Sequence, residues 1–154
     1  MKNYTCKYDS YFITLGICRN KGKYLLLKIA PTYKFCPGCW DFVFSKPKKP
    51  AKSIEENVLL SISIHTGLKG KIVGKCHTFE WIDRQSKIRW IIKPFIVEVE
   101  NKRVELSEKY TEFKWVRLNS IPKFDIENIA YLKYVLKKTS LTEDKYDSIG
   151  KERE

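Results

Sequence analysis

Two blocks of apolar residues open the chain, and a short polar segment separates them. Residues 11–18 and 23–30 are rich in β-branched, aromatic and leucine side chains, and the intervening RNKG contains Asn20 and Gly22, which suit a tight turn. This pattern predicts a β-hairpin. Residues 40–44, WDFVF, predict a further short strand, which ends at the lysine- and proline-rich segment SKPKKPAK.

The apolar residues that follow recur with a helical period. Ser53 and, three positions later, Glu56 are typical of a capped helix start, and Gly67 is typical of a helix end. We therefore expect a helix over about residues 54–66. Its buried stripe is predicted from residues that recur every fourth position, namely Ile54, Val58 and Ile62.

The second half of the chain predicts more strands and one more helix. GKCHTFEWID and IRWIIKPFIVEVE predict two longer strands joined at RQSK, and EFKWVRL predicts another. A last helix is predicted over about residues 125–138, where a helical period is kept by Ile126, Ile129, Ala130, Leu132 and Val135. The order of elements indicates an α/β fold in which helices cover a mixed sheet.

Length and composition fit one domain in a reducing compartment. The chain has 154 residues, 43% of them hydrophobic, which predicts a single domain over residues 1–138 followed by a polar, flexible tail over 139–154. No apolar window is long enough to span a membrane, and the N-terminus lacks the apolar region of a signal peptide. The five cysteines are an odd number and do not indicate a disulfide scaffold. We expect a soluble, cytoplasmic protein without a membrane partner.

The charge is the strongest compositional signal. Thirty Lys and Arg against eighteen Asp and Glu give a formal net charge of +12. Such a field attracts polyanions and favours a nucleotide, RNA or an acidic protein as partner. The alternative is that a lysine-rich surface keeps the chain soluble, because the positive charge is dispersed and forms no arginine-rich block.

Residues 53–68, SIEENVLLSISIHTGL, resemble the helix of the Nudix superfamily, whose box reads G-x5-E-x7-R-E-U-x-E-E-x-G-U with U aliphatic. The flanking segments GKYLLLK, PGCWDF and EFKWVRLNSI are similar to the neighbouring family segments, so the resemblance covers roughly residues 11–134. It implies an α/β/α sandwich with a mixed β-sheet. It also implies hydrolysis of diphosphate bonds with Mg²⁺ held by glutamates of the box.

The metal-binding positions of the box carry other residues in this chain. When the box is aligned on Gly67, its metal-binding glutamates fall on Ser61, Ile64 and His65, none of which is acidic. An isoleucine cannot bind Mg²⁺, which prefers hard oxygen ligands. We therefore expect no catalytic residues at these positions, no metal site and no cofactor.

An alternative to binding without hydrolysis is that the protein is an active pyrophosphohydrolase. A divergent pyrophosphohydrolase of nucleoside diphosphate derivatives could hold Mg²⁺ with carboxylates relocated to the strands, and the candidates are Asp41, Glu80, Asp83, Glu98 and Glu112. The segment FCPGCWDFVFSKP is also similar to the segment of isopentenyl-diphosphate isomerases that contains their catalytic cysteine. That cysteine position falls on Phe44, and the metal-binding histidine falls on Lys46, so the isomerase reaction is not expected.

The motif CPGC, residues 36–39, has three interpretations: a zinc site, a redox pair and a tight turn. A zinc site needs about four ligands, and no second pair of cysteines at this spacing occurs. A redox pair would be favoured by a following helix that lowers a thiol pKa, and no helix is predicted there. The motif is therefore interpreted as a Pro-Gly turn that leads into the strand at Trp40.

A basic loop stands where the box would begin. We predict that it binds phosphate through Lys46, Lys48, Lys49 and Lys52. Candidates for base stacking are Tyr33, Trp40, Phe79, Trp81, Trp90 and Trp115, and of these we single out Trp40, Phe79 and Trp115. Leu60 and Ile64 add apolar surface to the helix, so docking onto a protein or within a ribonucleoprotein is a further possibility. The sequence thus favours binding of a nucleotide or RNA, or a role in assembly, without hydrolysis.

Overall fold

A computed structural model describes residues 7–47 and 53–141 of the chain. Eight strands and two α-helices are present in these ranges: β1 Asp9–Asn20, β2 Lys23–Ile29, β3 Trp40–Asp41, β4 Val43–Ser45, α1 Ile54–Thr66, β5 Gly70–Lys75, β6 Phe79–Asp83, β7 Ile88–Val99, β8 Tyr110–Val116 and α2 Ile129–Thr139. A short 3-10 helix, Leu118–Lys123, precedes α2. No helix in the described ranges is long and apolar enough to cross a bilayer.

The predicted hairpin is confirmed. β1 and β2 are antiparallel, with Arg19 opposite Tyr24 and Asn20 opposite Lys23. The two turn residues, Lys21 and Gly22, both have positive φ angles, at 50° and 81°. Positive φ at both central residues is the geometry of the tight hairpin turn whose twist matches that of the flanking strands.

Strand β1 lies at the centre of one mixed sheet. It runs parallel to β7 over eleven paired positions from Asp9 to Arg19, and its other edge pairs antiparallel with β4 and β2. Beyond β7, the sheet continues through the antiparallel strands β5 and β6. On the far side β2 pairs with β8 and β3. The predicted strand over residues 40–44 is in fact two short strands, because β3 pairs with β2 whereas β4 pairs with β1.

Helix α1 covers one face of the sheet with the predicted bounds. The Ser53 hydroxyl accepts the Glu56 backbone N–H at 3.0 Å, and Gly67 closes the helix in the left-handed conformation. Val58 and Ile62 are buried against Gly16 of β1, whose missing side chain lets the helix approach closely. The prediction for Ile54 was wrong: it is 39% exposed because it lies in the first turn, beyond the edge of the contact.

Helix α2 packs on the other face of the sheet. Aromatic residues of α2 contact those of β6: Tyr131 packs on Trp81 and Tyr134 packs on Phe79. The helix begins at Ile129 rather than near residue 125. The Asn128 side chain brackets Trp40 through hydrogen bonds to its backbone N–H and C=O, and this fixes the helix start against β3. Helices on both faces of a mixed sheet confirm the predicted α/β/α sandwich.

Candidate ligand site

The face of α1 that would carry metal-binding glutamates has a different chemistry. Ser61 is buried with its hydroxyl oxygen unpaired, and Ile64 is 59% exposed. His65 forms a hydrogen bond of 2.7 Å between its Nδ1 and the Ser107 hydroxyl. One hydroxyl, one alkyl group and one imidazole do not fit Mg²⁺, which takes hard oxygen ligands, mostly carboxylates.

Three of the five acids proposed as relocated ligands form ion pairs with basic residues on neighbouring strands: Glu80 with Arg89, Glu98 with Arg19 and Glu112 with Lys28. The other two, Asp41 and Asp83, line a cavity described below. Within residues 7–47 and 53–141, no group of three or more His, Cys, Asp or Glu could hold a metal ion.

A lysine that the sequence does not single out lies beside the altered face of α1. The Lys109 ammonium donates to the backbone oxygen of Phe44 at 2.7 Å. It lies 3.7 Å from the centroid of the Phe44 ring and 5.4 Å from those of Tyr33 and Tyr110. The segment before it is anchored to the end of α1, because the Ser107 N–H donates to the His65 carbonyl. Tertiary contacts thus hold the Lys109 ammonium against Phe44, Tyr33 and Tyr110, on a segment that is anchored to the end of α1.

Of the four lysines predicted to bind phosphate, the structure describes only Lys46. Its ammonium lies over the rings of Tyr11 and Phe35, at 4.6 and 5.2 Å from their centroids. Such contacts hold a cation over the negative face of an aromatic ring. Lys48, Lys49 and Lys52 lie outside the described residues.

A cavity of about 380 Å³ opens on the α2 face of the sheet, next to these two lysines. Phe35 and Phe44 line it, and each also carries a lysine ammonium, Lys46 over Phe35 and Lys109 over Phe44. The other lining residues come from the sheet, the CPGC turn and the start of α2: Ile13, Ile29, Cys36, Cys39, Asp41, Trp81, Asp83, Gln85, Trp90, Ile92, Glu127, Asn128, Ala130 and Tyr131. The cavity is therefore aromatic, and two of its lining rings each carry a lysine ammonium.

Asp41 supplies a buried polar group in this cavity. Its carboxyl accepts the Phe42 N–H at 2.7 Å and the Tyr131 hydroxyl at 3.2 Å. Burial raises the pKa of Asp41 to about 8. At neutral pH the carboxyl therefore holds its proton for most of the time and can donate as well as accept a hydrogen bond.

Two of the aromatic candidates for base stacking, Trp81 and Trp90, line the cavity. The pairing of β6 with β7 places them opposite each other. Trp40, Phe79 and Trp115, which the sequence analysis singles out, are not among the lining residues. Trp115 is half-buried, and its indole N–H donates to the Lys102 carbonyl at 3.2 Å.

The CPGC motif forms a turn, as predicted. The Cys39 N–H donates to the Cys36 carbonyl at 3.1 Å, and Gly38 has a φ of 81°. A Pro at the second and a Gly with positive φ at the third position are typical of a type II turn. Two further backbone hydrogen bonds, both with Ile29, fix the turn to the end of β2. Cys36 is exposed and Cys39 is half-buried.

Several solved structures share this architecture. A MutT protein from Methanosarcina mazei superposes with a TM-score of 0.68 at 22% identity, covering 79% of this chain and 86% of its own. A MutT Nudix hydrolase from Burkholderia pseudomallei gives a TM-score of 0.67 at 14% identity, covering 84% and 98%. The Nudix domain of Shewanella oneidensis NrtR, solved with ADP-ribose, gives 0.64 at 13%, covering 86% and 94%.

Comparison with family models and curated sequences does not detect this similarity. No protein-family model matches the sequence, and no curated protein matches it significantly. At the identities of the solved structures, the similarity establishes architecture rather than activity. The chain has the Nudix fold.

Proposed function

We propose that this protein binds a nucleotide-type ligand containing a diphosphate and does not hydrolyse it with a bound metal. The observation that carries the proposal is the aromatic cavity, two of whose lining rings, Phe35 and Phe44, carry the ammonium groups of Lys46 and Lys109. An aromatic chamber accepts a base, and fixed cations accept phosphate.

The size and wall chemistry of the cavity suit a base with its ribose. Ligand cavities usually have volumes of roughly 300–1,000 Å³, are mostly apolar and contain a few polar groups. The cavity, at about 380 Å³, combines the rings of Trp81, Trp90 and Tyr131 with the Asp41 carboxyl. Stacking supplies affinity for a planar group, and Asp41 offers it one directional hydrogen bond.

The two lysines proposed to contact phosphate are already held in place in the free protein. Lys109 is held by the Phe44 carbonyl and by three rings, and Lys46 is held by two rings. Restraining a lysine in the free protein lowers the entropy lost when it contacts a phosphate. The ADP-ribose in the NrtR domain is a ligand of this class in the same fold. It is therefore the first probe.

The absence of hydrolysis is inferred from the donor set. The fold family places Mg²⁺ on α1, but Ser61, Ile64 and His65 do not form a hard oxygen site. A lysine ammonium can neutralise phosphate charge and cannot activate water as a bound metal does. We therefore expect binding without turnover.

The test is calorimetric titration of the full chain with ADP-ribose in the presence of EDTA. Lys109→Gln should weaken binding about tenfold, which corresponds to about 1.4 kcal/mol and is typical of losing a hydrogen bond to a charged group. Lys71→Gln is the matched control, because Lys71 is exposed on β5, away from the cavity. Its affinity should stay within about twofold of the wild type.

Three outcomes would contradict the proposal. Equal affinities of Lys109→Gln and the wild type for ADP-ribose would show that Lys109 does not contact the phosphates. Magnesium-dependent release of AMP or phosphate from ADP-ribose would show a relocated metal site. Single-stranded RNA that displaces ADP-ribose and binds Lys109→Gln as tightly as the wild type would assign the basic surface to RNA instead.

A further inference from the structure

We propose that Cys36 and Cys39 are a dithiol that a hydroperoxide oxidises to a disulfide at the cavity wall. The proposal is independent of the nucleotide ligand. It starts from the turn, in which Cys36 and Cys39 occupy the first and fourth positions and are joined by a backbone hydrogen bond of 3.1 Å.

The turn brings the two cysteines within disulfide range. The first and fourth residues of a β-turn have Cα atoms less than about 7 Å apart, and disulfides span Cα separations of about 4.4–6.8 Å. The two thiols are also close enough to shift each other's pKa. Because the backbone hydrogen bonds with Ile29 fix the turn, closing the bond requires little backbone movement.

The two thiols have different roles in the reaction. The interaction with the Cys36 thiol lowers the pKa of Cys39, and the same interaction raises the pKa of Cys36. No helix follows the motif, but the neighbouring thiol takes over the stabilisation of the thiolate. Cys39 is therefore the nucleophile and Cys36 the resolving thiol.

The oxidation proceeds in two steps. The Cys39 thiolate attacks one oxygen of the hydroperoxide, the O–O bond breaks, and the leaving alkoxide takes a proton to give an alcohol, while Cys39 becomes a sulfenic acid. The loss of the thiolate removes the main cause of the raised Cys36 pKa. The Cys36 sulfur then attacks the Cys39 sulfur and displaces hydroxide, which takes the Cys36 proton to give water. Two electrons pass from the dithiol to the peroxide.

Burial separates Cys18 from this pair, and position in the fold separates Cys76. Cys18 is fully buried, and burial raises its pKa to about 12, so it should stay a thiol. Cys76 is half-buried, like Cys39, and lies at the end of β5 away from the CPGC turn. It is therefore the matched control.

The experiment treats the full chain with hydrogen peroxide, blocks remaining thiols under denaturing conditions and identifies the tryptic peptide 35–48 by mass spectrometry. We expect this peptide to lose two hydrogens, to carry no blocking group and to recover both thiols with dithiothreitol. The Cys76 peptide should remain blocked, because Cys76 lies outside the turn that brings two thiols together.

Variants separate the two steps. Cys36→Ser should stop at a Cys39 sulfenic acid that dimedone traps, Cys39→Ser should leave Cys36 reduced, and Cys76→Ser should behave as the wild type. The proposal is overturned if the wild-type peptide stays fully blocked while Cys76 oxidises, or if Cys39→Ser oxidises as fast as the wild type. The mass of the wild-type peptide shows whether the Cys36–Cys39 disulfide forms, even if a variant fails to fold.

Discussion

Single residues carry the unusual chemistry of this molecule. Asp41 and the Cys36–Cys39 pair line the cavity, and the Lys109 ammonium lies over Phe44, a ring of its wall. Asp41 is paired with Tyr131 and Lys109 with Phe44, residues distant in sequence, whereas the local turn brings the two cysteines together. Ser61 is a fourth case, because its hydroxyl is buried without a partner where the family places a carboxylate. At this scale the site is defined by what tertiary contacts do to ordinary side chains.

Asp41 leads to a prediction about pH. Its pKa is about 8 in the folded protein and 3.8 in the unfolded chain, so between these values the folded state binds the extra proton. The free energy of unfolding should therefore fall as pH rises from about 4 to about 8, by at most about 1.4 kcal/mol per pH unit from this group. Asp41→Asn should show a shallower decline in urea unfolding at pH 5, 6, 7 and 8.

The control for this measurement is Asp9→Asn, which removes an exposed acid at the start of β1. Its pH profile should follow that of the wild type. Parallel profiles for Asp41→Asn and the wild type would show that Asp41 ionises normally and that the cavity is wetter than its burial indicates.

At the level of elements, the contact between α1 and β1 determines the geometry of the altered box. Gly16 allows Val58 and Ile62 to pack directly on the sheet, and this places Ser61 and His65 at the edge of that contact. On its outer side the helix exposes Leu60 and Ile64, at 49% and 59%. The helix thus keeps the packing of a Nudix helix without its acidic face.

Substituting Gly16 tests this contact. A Cβ at Gly16 would lie 2.9 Å from Ile62 Cδ1 and 3.2 Å from Ile62 Cγ1, in a region without free space. Gly16→Val should therefore lower the free energy of unfolding by about 2 kcal/mol or more, as expected for an overpacked core. Thermal and urea unfolding measure the loss.

Gly74→Val is the matched substitution in β5, where a Cβ would meet Ile96 at an ordinary 3.4 Å. Its effect should stay within about 1 kcal/mol. If both variants lose the same stability, the cost arises from strand glycines in general and not from the approach of α1.

At the scale of the whole molecule, the net charge of +12 acts on every anionic ligand. Raising salt from about 0.1 M to about 1 M shortens the screening length from about 10 Å to about 3 Å. The affinity for ADP-ribose should therefore fall several-fold across this range. Adenosine, which is uncharged, is the control ligand and should lose little affinity in the same titration. Equal salt dependence of both ligands would argue against a role for the positive field.

Much of the fold follows from local signals in the sequence. The bounds of α1 were predicted because Ser53, Glu56 and Gly67 cap the helix to which they belong. The hairpin was predicted because the positive φ of Gly22 depends only on the residues of its own turn. The start of α2 was misplaced, since Asn128 is engaged by Trp40, which is 88 positions away. Likewise WDFVF divides into two strands only because its halves find different partners.

The sequence by itself determined the absence of acidic side chains at Ser61, Ile64 and His65, the net positive charge and the order of elements, because these depend on residue identity and on neighbours along the chain. Only the tertiary structure decided that Lys109 lies on Phe44, that Asp41 retains its proton, and that Trp81 and Trp90 share a cavity wall. The physical reason is that burial, cation–π contact and enclosure arise between segments distant in sequence.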